Sequence, residues 1–251
     1  MSEAELHHAL TWAQIGLAVL TAGALLLFRA PYGRHYRKGW GPSVPAWLGW
    51  VIMESPAVLL FVAIYLRGDH ALQLVPLLLL GLWQLHYVHR TFVYPFRQRS
   101  PRPMPLVIAL AGVVFNSLNA YINARWISHL GDYSIAWLAD PRPWIGGAVF
   151  ATGYAINKRA DRMLLALRRP GEGGYAIPRG WLYEWVSCPN YLGEIVEWVG
   201  WAIATWSLPG LAFALYTAAN VGPRALANHR WYREQFDDYP RRRRALIPFV
   251  L

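Results

Sequence analysis

Glu54 is the residue most able to do chemistry in this chain. It stands inside Trp47–Leu66, a mostly apolar stretch of 20 residues that carries no other charge. A carboxyl in such a run must lose its hydration, take up a proton or find a partner, and inside a membrane span it marks a functional group. The next apolar stretch carries a phenol at a matching level. With both stretches read as antiparallel spans that meet one membrane face, Glu54 lies eight residues in from Ala46 and Tyr87 lies eight before Pro95. At a rise of ~1.5 Å per residue both side chains sit ~12 Å deep, where they can meet. His86 and His89 flank Tyr87, but no further ligand pattern accompanies them. They read as hydrogen-bonded structural histidines, and no metal site is expected.

A second concentration of polar residues lies towards the C-terminus. Asn157, Asp161 and Arg168 fall at i, i+4 and i+11; Asn190, Glu194 and Glu197 at i, i+4 and i+7; Arg224, Asn228 and Tyr232 at i, i+4 and i+8. Each spacing stacks its residues on one face of an α-helix. Polar atoms facing lipid are penalised, so three such faces at one level argue for a shared, water-accessible cavity. The planar fork of Arg suits phosphate, while carboxylates and amides suit ribose hydroxyls and a carboxamide. A nucleotide-like cofactor fits that mixture. The same faces would also serve as polar contacts between helices with no ligand.

The elements that position these groups follow from length and hydropathy. Of the 251 residues, 55% are hydrophobic and 15% charged, and the apolar residues are gathered into long runs. Seven runs have roughly the ~20 residues needed to cross a hydrocarbon core. They lie near Leu10–Phe28, Ala46–Leu66, Leu72–Tyr94, Pro105–Arg125, Pro143–Leu165, Asn190–Ser207 and Pro209–Asn228. The expected fold is an all-α integral membrane protein with seven transmembrane helices, forming a single domain over residues 1–251. Met1–Ala9 holds Glu3 and Glu5 and no basic segment, so the first run is expected to stay as a span. Cys188 is the only cysteine, which excludes an intramolecular disulfide and a cysteine-based metal cage.

Charge sets the orientation. Of the 24 Lys and Arg residues, only Arg67, Arg90, Arg125, Arg142 and Arg224 fall outside the stretches 29–45, 95–104 and 157–189 and the tail from Asn228. The positive-inside rule then places the N-terminus outside and the C-terminus in the cytoplasm. The net charge of +10 reports this topology, since it is spread over every loop on that side, and nucleic acid is not an expected partner. Arg241–Arg244 suits a lipid headgroup. Gly171-Glu172-Gly173-Gly174-Tyr175-Ala176 matches a dinucleotide-binding spacing but follows a basic helix end, not a strand. It reads as a turn.

Leu167-Arg168-Arg169-Pro170-Gly171-Glu172, Asn190-Tyr191-Leu192-Gly193-Glu194, Ala204-Thr205-Trp206-Ser207-Leu208-Pro209 and the ending Asp238-Tyr239-Pro240 to Ala245-Leu246-Ile247-Pro248-Phe249 share one pattern. With Tyr32-Gly33 and His86 to Tyr94, that pattern resembles the steroid 5α-reductases (3-oxo-5α-steroid 4-dehydrogenases), its type 2 branch in particular. The resemblance is dense over 157–251 and patchier before. It implies a seven-span enzyme that uses NADPH to reduce the Δ4 double bond of a 3-oxosteroid. It puts the catalytic pair on Glu54 and Tyr87. Cofactor contacts fall on Tyr32, Arg102, Asn157, Asp161, Arg168, Tyr175, Asn190, Glu194, Arg224, Asn228 and Tyr232, and the apolar steroid wall includes Trp50 and Trp198. The steroid site would lie mainly in 46–125 and the NADPH site mainly in 143–251. Two departures stand out. Asn228 replaces an expected histidine, and Ala176 an expected arginine, for which Arg179 is a candidate substitute.

The expected partners are a steroid or similar lipid and the membrane, either a bacterial inner membrane or the endoplasmic reticulum, with no obligate protein partner. The rival readings are a membrane methyltransferase using S-adenosylmethionine on a lipid or prenylcysteine, a reductase of another enone lipid, and a transporter or lipid-binding scaffold.

Overall fold

The computed structural model describes residues 1–98, 102–167 and 175–251. Seven long helices dominate them: α1 (Glu3–Leu27), α2 (Ala46–Tyr65), α3 (Leu74–Phe92), α4 (Leu106–Leu130), α5 (Pro141–Ala166), α6 (Pro189–Thr205) and α7 (Leu208–Gln235). Each expected span coincides with one of them. The ends differ: α1 starts at Glu3 and not Leu10, and α7 runs seven residues past Asn228. The early start of α1 has a local cause in a capping box, in which the Ser2 hydroxyl accepts from Glu5 N at 3.2 Å and Glu5 accepts from Ser2 N at 2.7 Å.

By length and composition, α1, α2 and α4 are apolar enough to cross a membrane. The other four carry most of the polar groups, which lowers their mean hydropathy. Exposed Val19, Leu20, Leu26 and Leu27 on α1 are typical of the apolar side chains on the outside of the bundle. Inside, His7 of α1 donates to the Ile122 carbonyl at 2.8 Å and Gln14 donates to Asn119 at 3.0 Å, joining α1 to α4.

The π turn in α2 matters for Glu54. Pro56 lacks an N–H to continue the helical ladder, and Pro56–Leu60 relaxes into a π turn. Side chains of α3 bind carbonyls in this turn: Trp83 donates its indole N–H to Ala57 O at 2.8 Å, and Gln84 its amide to Val58 O at 3.3 Å. Trp83 is one turn before Tyr87, so this contact registers Glu54 and Tyr87 on adjacent helices. Around Trp83 the core is aromatic, with Phe61 at 4.4 Å and Trp198, Trp201 and Phe213 each at 5.3 Å between ring centroids.

Helices α5 and α6 meet backbone to backbone. A Cβ on Gly153 would stand 2.2 Å from Glu197 N, one on Gly200 2.2 Å from Phe150 N, and one on Gly193 2.4 Å from Asn157 N. Glycines at 146 and 153 on one helix thus face glycines at 193 and 200 on the other, and only glycine permits the approach. This contact sets Asn157 and Asp161 of α5 against Asn190 and Glu194 of α6.

Two short pairings close the basic end. Strand β1 (Ser43–Val44) runs antiparallel to β2 (Met104–Pro105), with Ser43 opposite Pro105 and Val44 opposite Met104. The C-terminal tail returns to the start of α6, where Ser187 N donates to Arg244 O at 2.8 Å and Cys188 N to Ala245 O at 3.1 Å.

Candidate active site

A cavity of about 600 Å³ runs between the helices, a size suited to a cofactor or drug-sized ligand. One end is built by α2, α3 and α4. Glu54 and Tyr87 both border it and both are buried. Asn116 of α4 donates its amide to Met53 O at 2.8 Å and to Glu54 Oε2 at 3.1 Å, which fixes one carboxyl oxygen and leaves the other for the cavity. Tyr87 is packed among Trp83, His86 and Trp198, with ring centroids 4.9, 5.0 and 5.6 Å away. Trp50 and Trp198 line this end, as expected of an apolar wall. His86 Nδ1 donates to Glu197 Oε1 at 2.8 Å, both groups being buried.

Arg90 joins this end to the polar one. Its guanidinium lies 4.5 Å over the Trp50 ring and 4.9 Å over Tyr94, and it stands 3.8 Å from Asp161 and 3.9 Å from Glu194. From the sequence it read only as a basic residue at a span end. In the fold it stands against the buried Asp161 and the half-buried Glu194 and presents a cation to the cavity.

The other end is formed by the 29–45 loop, α6, α7 and Tyr175. Tyr32, Arg102, Tyr175, Asn190, Glu194, Arg224, Asn228 and Tyr232 all line it. Arg224 hydrogen-bonds the Tyr32 hydroxyl. Arg34, absent from the expected set, lies 5.3 Å over Tyr175, 4.9 Å over Trp231 and 4.7 Å over Tyr232, and its carbonyl accepts from Arg102 at 2.7 Å.

Three residues of the expected polar faces lie deeper than the cavity wall. Asn157 and Asp161 do not line this cavity. They stand behind Asn190, with Asn157 donating to Asn190 O at 3.0 Å and Asn190 donating to Asp161 at 3.1 Å. Glu197 likewise turns from the cavity to His86. Arg179, the candidate substitute for the arginine missing at Ala176, does not line this cavity and is an exposed residue that pairs with Asp238 at 3.1 Å. Arg168 and residues 171–174 of the expected turn lie outside the described residues.

The departure at Asn228 has a structural counterpart. His35 borders the cavity and donates Nε2–H to Asn228 Oδ1 at 3.1 Å, while the Asn228 amide points to Cys188 Sγ at 3.8 Å. An imidazole thus still stands at this point, supplied from the loop. Burial pushes the His35 pKa down to about 4, so the ring is neutral near pH 7. Burial also raises the Cys188 thiol to about 11, which makes it a poor nucleophile. The neighbouring His229 points elsewhere, hydrogen-bonding Ser187 at 2.6 Å.

Comparison with known proteins decides the family. Residues 102–251 match the family model described as 3-oxo-5-alpha-steroid 4-dehydrogenase. The chain is 48% identical over 238 residues to Steroid 5-alpha-reductase DET2 of Arabidopsis thaliana, spanning 92% of this chain and 91% of that one. The chain belongs to the 3-oxo-5-alpha-steroid 4-dehydrogenase family. Similarity extends to 3-oxo-5-alpha-steroid 4-dehydrogenase 1 of Bos taurus, 39% identical and covering 100% of this chain and 99% of that one. It extends also to 3-oxo-5-alpha-steroid 4-dehydrogenase 2 of Macaca fascicularis, 41% identical over 94% of this chain and 95% of that one. The resemblance read from the motifs is therefore correct, and it is shared across plant and mammalian branches. For a 3-oxo-5-alpha-steroid 4-dehydrogenase family member the two ends of the cavity divide naturally, an apolar end with two hydrogen-bonding groups and a cationic, amide-rich end.

The cationic end fits a dinucleotide. Arg34 and Arg224 each keep a buried N–H group without a hydrogen-bond partner in the described residues, at Nη1 and Nε respectively. Donors held ready in this way, beside Asn190, Glu194 and three tyrosines, suit phosphate and ribose oxygens.

Proposed function

We propose that this chain is a membrane oxidoreductase that reduces the Δ4 double bond of 3-oxo-Δ4 steroids with NADPH, hydride going to C5 and a proton to C4, to give 3-oxo-5α-steroids. The observation that carries this reading is the pairing of Glu54 and Tyr87 on the wall of one apolar cavity end, in a chain of this family. The protein is read as a single domain with seven spans, N-terminus outside and cofactor end facing the cytoplasm, a reading that the distribution of Lys and Arg supports.

A bound nicotinamide cofactor supplies the hydride. Tyr32, Arg34, Arg102, Tyr175, Asn190, Glu194, Arg224, Asn228 and Tyr232 would hold it, with Asn157 and Asp161 fixing Asn190 from behind. The arginine count favours NADPH over NADH, since an added phosphate needs added donors.

The chain's own contribution is at the ketone. Tyr87 and protonated Glu54 donate hydrogen bonds to the steroid 3-oxygen, with Asn116 holding Glu54 Oε2 and leaving Oε1 to carry the proton. As C5 gains a hydride, negative charge moves through the enone to that oxygen. Donors fixed in a water-poor site stabilise this charge by ~3–4 kcal/mol each. Trp50 and Trp198 exclude water and lie against the steroid's apolar face.

A thermal-shift comparison tests the class. NADPH is expected to raise the melting temperature of the purified protein well above the effect of NADH, and S-adenosylmethionine to leave it unchanged. Stabilisation by S-adenosylmethionine alone would favour a membrane methyltransferase and refute the reductase reading.

A further inference from the structure

A second cavity, of about 290 Å³, opens between α3 and α5. Tyr154, Lys158 and Arg162 line it at i, i+4 and i+8 of α5, with His89 of α3 and Arg97 opposite. Lys158 is only 8% exposed; its ammonium makes no hydrogen bond within the described residues and rests 4.9 Å from the centre of the Tyr154 ring. His89 Nδ1 is also buried without a partner there. Asp161 is the one carboxylate among the lining residues, and it is committed to Asn190 at 3.1 Å and to Arg90 at 3.8 Å. Three cations thus outnumber the single acid that lines the cavity. An ammonium buried without a hydrogen-bond partner among the described residues is costly, and an anion of small size at the cavity supplies one.

The position narrows the anion. His89 lies one turn from the end of α3, and Arg162 one turn from the end of α5, both at the end of the bundle where the basic loops gather. On α3, exposed Leu85 and Phe92 flank His89 at i−4 and i+3, so an apolar strip leads from the cavity towards mid-bundle. A phosphate at the rim with a hydrocarbon chain along that strip matches both features.

We propose that this cavity binds the phosphate of an anionic phospholipid, with Lys158, Arg97 and Arg162 as its cationic contacts. The site is distinct from the reductase cavity but adjoins it: Tyr94 borders both, and Asp161 of the second cavity faces Arg90 of the first. The inference rests on the membrane reading and not on the reaction, so steroid turnover and lipid binding are separable readouts.

The test is native mass spectrometry of the detergent-purified chain, titrated with phosphatidylglycerol or phosphatidylcholine. Phosphatidylglycerol is expected to be retained in preference. Lys158→Met, which keeps the stem and removes the charge, weakens that retention roughly fivefold, as does Arg97→Gln on the exposed turn. Arg159→Gln makes the same charge change at an exposed residue stacked over Trp181, and is expected to leave retention as it was. Should Lys158→Met fail to fold, Arg97→Gln and Arg159→Gln still give the comparison. Equal retention of both lipids, equal weakening by Arg159→Gln, or displacement of the lipid by millimolar inorganic phosphate would each overturn the assignment.

Discussion

Asn116 hydrogen-bonds Glu54 across the α2–α4 contact, its amide 3.1 Å from Glu54 Oε2 and 2.8 Å from Met53 O. One side chain thereby fixes both the carboxyl and the backbone that carries it. Asn116→Leu is expected to lower kcat for steroid reduction by ten- to a hundredfold, on the order of what a 1 Å misplacement costs. KM for NADPH should stay as it was, because the cofactor end is untouched. A fall in kcat accompanied by a comparable rise in KM for NADPH would show that Asn116 acts through the whole fold and not through Glu54.

The glycine faces of α5 and α6 make a stability prediction. A methyl group at Gly153 or Gly200 would meet backbone at 2.2 Å, and backbone cannot rotate away as a flexible side chain can. Gly153→Ala and Gly200→Ala should each destabilise the protein by about 1–3 kcal/mol, seen as a lower melting temperature in detergent. Gly81→Ala and Gly147→Ala, where a Cβ meets nothing within 4 Å, are the controls and should melt within a degree or so of the parent.

Arg90 holds Asp161 and Glu194 together, at 3.8 and 3.9 Å. Removing the cation leaves two partly or fully buried carboxylates facing each other. Arg90→Met is expected to cost about 3–5 kcal/mol, the range for breaking a buried pair on one side only. The double change with Asp161→Asn should recover part of that loss in the same melting experiment. No recovery would mean that the two residues are energetically independent.

His35 gives the pH dependence. Its folded pKa of about 4 lies below the ordinary value of 6.5, because burial disfavours the imidazolium. Between these values the unfolded chain takes up a proton that the folded one refuses. Stability from this residue is therefore complete above pH 6.5 and is lost as pH falls towards 4. Melting temperature against pH should fall less steeply over that window in His35→Gln, which keeps an amide donor for Asn228. Superimposable profiles would count against the assignment.

How far the sequence carried these conclusions depends on the kind of signal. Long apolar runs located all seven helices, and helical spacing put Asn190, Glu194, Arg224, Asn228 and Tyr232 on faces that do line one cavity. Spacing reports the direction of a side chain and not its depth in the bundle, which is why Asn157, Asp161 and Glu197 turned out to lie one layer behind. Arg90 and Asn116 were passed over for a different reason. Each takes its role from groups on other helices, Arg90 from Asp161 and Glu194 and Asn116 from Glu54, which spacing within one segment does not report. The π turn after Pro56 and the glycine contact of α5 with α6 are also products of packing between distant segments. The motif resemblance supplied what periodicity lacked, above all Tyr32, Arg102, Tyr175, Trp50 and Trp198.

The most direct test is product analysis by mass spectrometry after incubating the protein with a 3-oxo-Δ4 steroid and NADPH carrying deuterium at the transferable position. The parent protein should yield a 3-oxo-5α-steroid with one deuterium at C5. Glu54→Gln and Tyr87→Phe should each slow its formation by about a hundredfold or more, as expected on losing one donor to a developing oxyanion. Full turnover in both variants, or deuterium at any carbon other than C5, would contradict the assignment of Glu54 and Tyr87 to the ketone.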